Sequence, residues 1–132
     1  MLVFWTGDLV VSEKVCTFAE MKPAFLIAAP TSGSGKTTIA RGLMALLTSK
    51  GMKVQPFKCG PDYIDTKFHA SVCGRPSINL DTFMASPEHV RELFWHYGAD
   101  ADVCIVEGMM GLIDGYDREK GSAYEIAKTL DI

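Results

Sequence analysis

The sequence is poor in the features that mark several large functional classes. Lysine and arginine number 13 against 16 aspartates and glutamates, a net charge of −3, and no basic run occurs in the 132 residues. A nucleic-acid binder needs clustered positive charge to displace phosphate counterions, so no DNA or RNA partner is expected. No apolar stretch approaches the roughly 20 residues that cross a bilayer, so no membrane partner is expected either. Cysteine is sparse. Cys16, Cys59, Cys73 and Cys104 contain no CxxC pair, which favours free thiols over a disulfide framework and makes Cys59, His69 and Cys73 a poor zinc set. Cys104 sits in an apolar run and reads as a small core residue. The opening Met1-Leu-Val-Phe-Trp has no positive residue before it and is interrupted by Asp8. It is therefore not read as an export signal, and a cytoplasmic location is expected. Internal repeats and low-complexity segments are also lacking.

What is present is enough apolar material for one core: 48% of residues are hydrophobic and 22% charged, and a chain this long hides roughly two-thirds of its unfolded surface. Residues 1–20 suggest no element, so the fold is expected to begin near Met21 with those residues as an extension of unassigned role. From Ala24 to Ala29 the chain reads AFLIAA. Continuous apolarity of this kind marks a strand buried on both faces, as in a parallel sheet. Pro30-Thr-Ser-Gly-Ser-Gly then breaks the run, and from Thr37 a helical stripe of Ile39, Leu43, Leu46 and Leu47 leads to a stop at Gly51. A short strand over Val54–Phe57 completes a βαβ unit, for which a right-handed crossover is expected.

Lys58 to Asp81 shows little periodicity and reads as a long loop, of the kind that is usually functional or disordered. Ser86-Pro87 opens a second helix with a stripe of Val90, Leu93, Phe94 and Tyr97. Asp102–Val106 reads as a third buried strand ending at Glu107-Gly108, followed by MMGLIDG. Ser122 and Glu125 form a capping box that opens a last helix toward Leu130.

The strongest chemical signal is Pro30 to Thr38, PTSGSGKTT, lying between a buried strand and a helix. Its residue types suit phosphate. Glycines let the backbone N–H groups of Thr31-Ser32-Gly33-Ser34-Gly35 curl around phosphate oxygens, and the helix start at Lys36, Thr37 and Thr38 adds partial positive charge. Lys36 neutralises the outer phosphates and the Thr37 hydroxyl suits magnesium. One departure stands out: Pro30 occupies the place where the usual pattern begins with glycine. Metal-holding carboxylates belong at the carboxyl ends of neighbouring parallel strands, where Glu107 is expected. Lys58 ends the second strand at the same edge. Pro61-Asp62 and Asp114-Gly115 read as turn pairs on residue type alone.

Taken together, Phe57-Lys-Cys-Gly-Pro-Asp-Tyr-Ile-Asp, Asn79-Leu80-Asp81 and Glu107-Gly-Met-Met-Gly-Leu-Ile-Asp-Gly resemble the cobyrinate a,c-diamide synthase family. The resemblance runs from about Lys22 to the last residue and matches the family's amino-terminal synthetase domain, which is similar in fold to dethiobiotin synthetase. The neighbouring cobyric acid synthases typically carry a QNM-type segment where this chain has GPDYID. The resemblance implies an α/β, P-loop NTPase-type three-layer fold with a mostly parallel sheet. It also implies ATP- and Mg²⁺-dependent amidation of two acetate carboxylates of a corrin through an acyl phosphate, with ammonia derived from glutamine. In those terms Lys36, Lys58, Asp65 and Asp114 are catalytic, and Thr31 to Thr38 bind the nucleotide. Asp62, Tyr63 and Asp65 face the substrate, while Thr37 and Glu107 hold the metal with Asp62 or Asp65 completing the set.

Three apparent strands are too few for that fold, so residues 21–132 are expected to be a partial synthetase domain, incomplete at the carboxyl end. None of the four cysteines lies in a nucleophile elbow with an activating histidine. Ammonia is accordingly expected from a glutamine amidotransferase domain that is not present in this sequence, and related synthetases suggest a homodimer. Two other readings are a partner-switching P-loop ATPase, disfavoured by Thr31 where such proteins often place a signature lysine, and a non-catalytic nucleotide-binding module. The motifs do not choose among cobyrinate, hydrogenobyrinate and nickel-sirohydrochlorin as substrate.

Overall fold

The computed structural model describes residues 2–5 and 22–132. Five strands form one sheet: β1 (Leu2–Trp5), β2 (Ala24–Ala28), β3 (Val54–Cys59), β4 (Ile78–Leu80) and β5 (Val103–Glu107). Their order across the sheet is β1-β2-β5-β3-β4. The four strands from β2 onward run parallel, and β1 pairs antiparallel with β2 at one edge. Among the described residues four helices pack on the sheet: α1 (Lys36–Ser49), α2 (Asp65–Cys73), α3 (Pro87–Gly98) and α4 (Ala123–Leu130). The expected α/β architecture with a mostly parallel sheet is what the chain adopts.

Strand parity sorts the core into two faces. On β2, β3 and β5, Leu26, Phe57 and Val106 join Val90 and Phe94 of α3 and Ile126 of α4. Ile27, Val54 and Ile105 point the other way, onto Ala40 and Met44 of α1. Because alternate residues face opposite sides, Lys58 and Glu107 lie on the α1 side, one and two residues along from Phe57 and Ile105. Both would be costly intruders in a purely apolar layer.

Several expectations shift in detail. The apolar stripe of α1 is rotated: Ala40 and Met44 are fully buried, Leu43 and Leu47 flank them, and Ile39 and Leu46 are 44% and 52% exposed. Choosing the bulkiest residues misplaced the face, because Lys36 and Ala40 share the i, i+4 ridge that the helix turns toward the sheet. The long loop from Lys58 to Asp81 contains α2 and the three-residue β4. On α3, Val90 and Phe94 are buried as expected, whereas Tyr97 is exposed. Residues 1–20, expected as an extension without an element, include the edge strand β1; the rest of that segment lies outside the described residues.

The helix starts follow their capping residues. Ser86 Oγ accepts the His89 N–H at 3.2 Å ahead of Pro87. In the expected box at α4, Ser122 Oγ accepts the Glu125 N–H at 3.1 Å. The Glu125 carboxylate reaches one residue further back than the usual box, accepting from the Gly121 N–H at 2.6 Å and the Thr82 hydroxyl at 2.5 Å. It thereby ties α4 to the segment after β4.

The rotated α1 face has a direct stability consequence. Met44→Ala removes a side chain with no exposure and is expected to cost about 2–5 kcal/mol. Leu46→Ala trims a half-exposed one and is expected to cost less than about 1 kcal/mol. Urea unfolding of both variants checks the ranking.

Candidate nucleotide-binding and catalytic site

The glycine loop follows β2 directly and ends at Gly35, which caps α1 in the left-handed conformation with φ of 83°. Gly33 also has a positive φ, 73°. A Cβ at either position would meet nothing within 4 Å, so glycine is needed there for backbone conformation and not for space. Pro30 stands outside this requirement, since no positive φ occurs there. Thr31 and Ser34 pair their hydroxyls at 2.9 Å, and Ser34 Oγ donates to the Thr31 carbonyl at 2.7 Å. Lys36 Nζ folds back to donate to that same carbonyl at 3.1 Å. Its ammonium is thus held over the loop it would serve.

Beside the loop opens a cleft of about 630 Å³ at the carboxyl ends of β2, β3 and β5, with Lys36, Thr37, Lys58, Asp62, Asp65 and Glu107 among its walls. At its floor the parallel pairing of β3 with β5 sets Lys58 opposite Glu107. Lys58 Nζ lies 3.1 Å from Glu107 Oε1 and 3.0 Å from Asp65 Oδ2. The Thr37 hydroxyl donates to Glu107 Oε1 at 2.5 Å, with Asp65 Oδ2 at 3.4 Å. Glu107 has no exposure, and its second oxygen, Oε2, is 2.6 Å from Nε2 of His69, which is equally buried.

These contacts decide the charge states. Burial pushes the Glu107 carboxyl up, but hydrogen bonds from His69 and Thr37 and the Lys58 charge outweigh it, leaving Glu107 below its ordinary 4.5. Burial likewise pulls the Lys58 ammonium down, yet Glu107 and Asp65 together hold it above 10.5. Cys59, next along β3, is driven by burial up to about 12, so its thiol is not a nucleophile here.

The remaining candidate residues occupy distinct places. Asp62 uses Oδ1 to accept the N–H groups of Ile64 and Asp65 at 2.8 and 2.9 Å, which starts α2 and aims Asp65 at Lys58. Tyr63 is 75% exposed. Asp114 accepts the Gly111 N–H at 3.0 Å within the loop after β5 and is not part of the cleft wall. That loop is pinned to the end of β2 by Gly108 N–H to the Ile27 carbonyl at 2.9 Å and Leu112 N–H to Ala29 at 2.8 Å. A Cβ on Gly108 would lie 3.1 Å from that Ile27 oxygen and from the Ala123 Cβ, so a side chain there would push the two segments apart by a few tenths of an ångström. The sequence considered His69 only as a weak zinc ligand. Its true signal was its spacing, four residues after Asp65 and so on the same face of α2.

The sequence matches a known family model, the CobQ/CobB/MinD/ParA nucleotide binding domain, over residues 25–130. The chain belongs to this family. Within it, the chain is 51% identical over 110 residues to a hydrogenobyrinate a,c-diamide synthase of Streptomyces coelicolor. It is 50% identical over 109 residues to a cobyrinate a,c-diamide synthase of Picrophilus torridus, and 50% over 93 residues to that of Salmonella typhimurium. These alignments cover 82%, 81% and 70% of this chain but 23%, 24% and 20% of the relatives. The chain therefore spans about a quarter of the length of the curated relatives it matches. Among the described residues no helix is long and apolar enough to cross a membrane.

In this nucleotide-binding domain the buried pair makes stability depend on acid pH. A carboxyl whose folded pKa is depressed contributes fully above its ordinary value, and the contribution is lost as pH falls through the folded one. Glu107→Gln is expected to cost about 1.5–3 kcal/mol at pH 7, since it leaves the buried Lys58 with Asp65 alone and takes the charged acceptor from Thr37 and His69. The gap to the wild type should narrow as pH drops below 4.5, the ordinary value for the group. Denaturant unfolding at several pH values checks this, and a gap constant with pH would contradict it.

Proposed function

We propose that the chain is the ATP-dependent amidoligase part of a corrinoid a,c-diamide synthase. The observation that carries this reading is the Lys58–Asp65–Glu107 cluster set against Thr37 and Lys36 at the mouth of the phosphate loop. The names of the relatives point the same way. A carboxylate is a poor electrophile toward ammonia. In the proposed reaction an acetate oxygen of the corrin attacks the γ-phosphorus of ATP, the bond to the bridging oxygen breaks, and ADP leaves. Ammonia then adds to the acyl carbon, phosphate departs with the former carboxylate oxygen, and the nitrogen gives up a proton.

The protein's share is positioning and charge neutralisation. The amides of Thr31 to Gly35 and the start of α1, with Thr38, cradle the phosphates, and Lys36 swings from the Thr31 carbonyl to the β- and γ-oxygens. Lys58 lies where the γ-phosphoryl group and the substrate carboxylate meet, balancing the charge that develops between them.

The donor set fits Mg²⁺. Two carboxylates share a single ammonium in the cluster, which leaves a negative charge uncancelled beside the Thr37 hydroxyl. No trio of His, Cys, Asp or Glu forms a closed metal cage among the described residues. A few hard oxygen ligands open to phosphate and water are what Mg²⁺ takes in nucleotide sites. Thr37, Glu107 and Asp65 would hold it, with Asp62 at the rim, and its chemistry there is to neutralise phosphate charge. Asp62, Tyr63 and Asp65 would meet a tetrapyrrole carboxylate, whether cobyrinate, hydrogenobyrinate or a nickel-sirohydrochlorin, while Asp114, catalytic by the resemblance, is held by the Gly111 N–H outside the cleft wall and is given no step in the reaction. Ammonia comes from a glutamine amidotransferase domain, and the working unit is a cytoplasmic homodimer.

ATP with Mg²⁺ should release phosphate when cobyrinate and ammonia are added together, and indifference to both would sink the amidoligase reading. Lys36→Ala should abolish nucleotide binding measured by calorimetry, and unchanged affinity would remove the phosphate loop from the account.

A further inference from the structure

The histidine behind Glu107 has no part in the chemistry described so far, although it is fully buried and lies on the only face of α2 that is sealed from water. Both ring nitrogens are engaged: Nδ1 with Ser77 Oγ at 3.1 Å and Nε2 with Glu107 Oε2 at 2.6 Å. We propose that His69 is a positioning residue that holds the Glu107 carboxylate in its metal-binding orientation and so sets how strongly metal and nucleotide bind together. This rests on the reading that Thr37 and Glu107 hold Mg²⁺ beside the nucleotide.

The division of labour on Glu107 carries the inference. Oε1 faces the cleft, taking Thr37 and Lys58, while Oε2 faces away and, among the described residues, takes only His69 as a hydrogen-bond partner. A carboxylate held at one oxygen cannot turn about its terminal bond without breaking that contact. His69 therefore fixes the plane in which Oε1 is offered to the cleft. Ser77, in the turn between α2 and β4, fixes the ring in turn. With Nε2–H donating to the carboxylate, Nδ1 accepts the Ser77 hydroxyl, and every polar atom of the buried chain is satisfied. Partners of this kind behind a metal-holding group commonly change metal affinity when removed, although they never touch the ion.

A side chain that only filled space would affect nucleotide binding equally with and without metal. The test is therefore calorimetric titration of ATP into the full chain, once with magnesium chloride and once with excess EDTA. In the wild type, magnesium should strengthen binding. For His69→Leu that gain should shrink about tenfold or more, while affinity in EDTA stays within about twofold. His69→Gln, whose amide can still donate to Glu107, should recover most of the gain. Ser77→Ala keeps the histidine but frees its ring, and a loss of roughly threefold is expected, within the range of one net hydrogen bond.

Equal losses with and without metal, or an undiminished magnesium gain in His69→Leu, would overturn the proposal. If His69→Leu does not fold by thermal melting, Ser77→Ala and His69→Gln decide it. A magnesium gain equal to wild type in Ser77→Ala, or none in His69→Gln, would then count against it. A wild type without any magnesium gain would instead mean that the metal reading itself fails, and the role of His69 would fall with it.

Discussion

The buried ion pair between Lys58 and Glu107 is the interaction on which the rest of the site depends. Parallel strands placed side by side set the two residues opposite one another, and strand parity turns both toward the helices that carry Thr37, Asp65 and His69. Neither charge is tolerable there alone, because removing an ion from water costs several kcal/mol. Together, and with the hydroxyl, the second carboxylate and the imidazole, they satisfy each other. The site is thus assembled as part of the layer between sheet and helices, with its working atoms open to the cleft on one side.

That arrangement also explains why the cleft is charged and yet ordered. Lys36 and Lys58 are both buried cations with internal partners, a loop carbonyl for one and two carboxylates for the other. Nucleotide phosphates entering the cleft would meet ammonium groups already held at its wall, Lys36 exchanging the Thr31 carbonyl for phosphate oxygens while Lys58 keeps its carboxylates. This limits the positive charge required to a few placed groups, in keeping with a chain whose net charge is −3.

Much of this was legible in the residues themselves. The run AFLIAA followed by glycines and Lys36-Thr37 announces strand, loop and helix, because each residue type has a local reason to be there. Glu107 is legible because an acidic residue after VCIV falls at a strand end. The segment between β3 and β4 was not. The buried residue of α2 is a histidine, so a search for apolar periodicity finds no face, and β4 is too short to show alternation. The different places of Asp62 and Asp65 were likewise not legible without the third dimension. Asp62 spends an oxygen on the backbone of α2, and that turn carries Asp65 to Lys58. The face of α1 was misread for a related reason: Lys36 and Thr37 must point into the cleft, and this sets the helix rotation that buries Ala40 and Met44.

The central claim, that Lys58 is a charged lysine kept so by two carboxylates against its own burial, is open to one direct measurement. Heteronuclear NMR titration of the Lys58 ammonium should give a pKa above 10.5, the ordinary lysine value. A pKa below that value would mean that burial outweighs Glu107 and Asp65, and the ion pair would not be the organising interaction of the site.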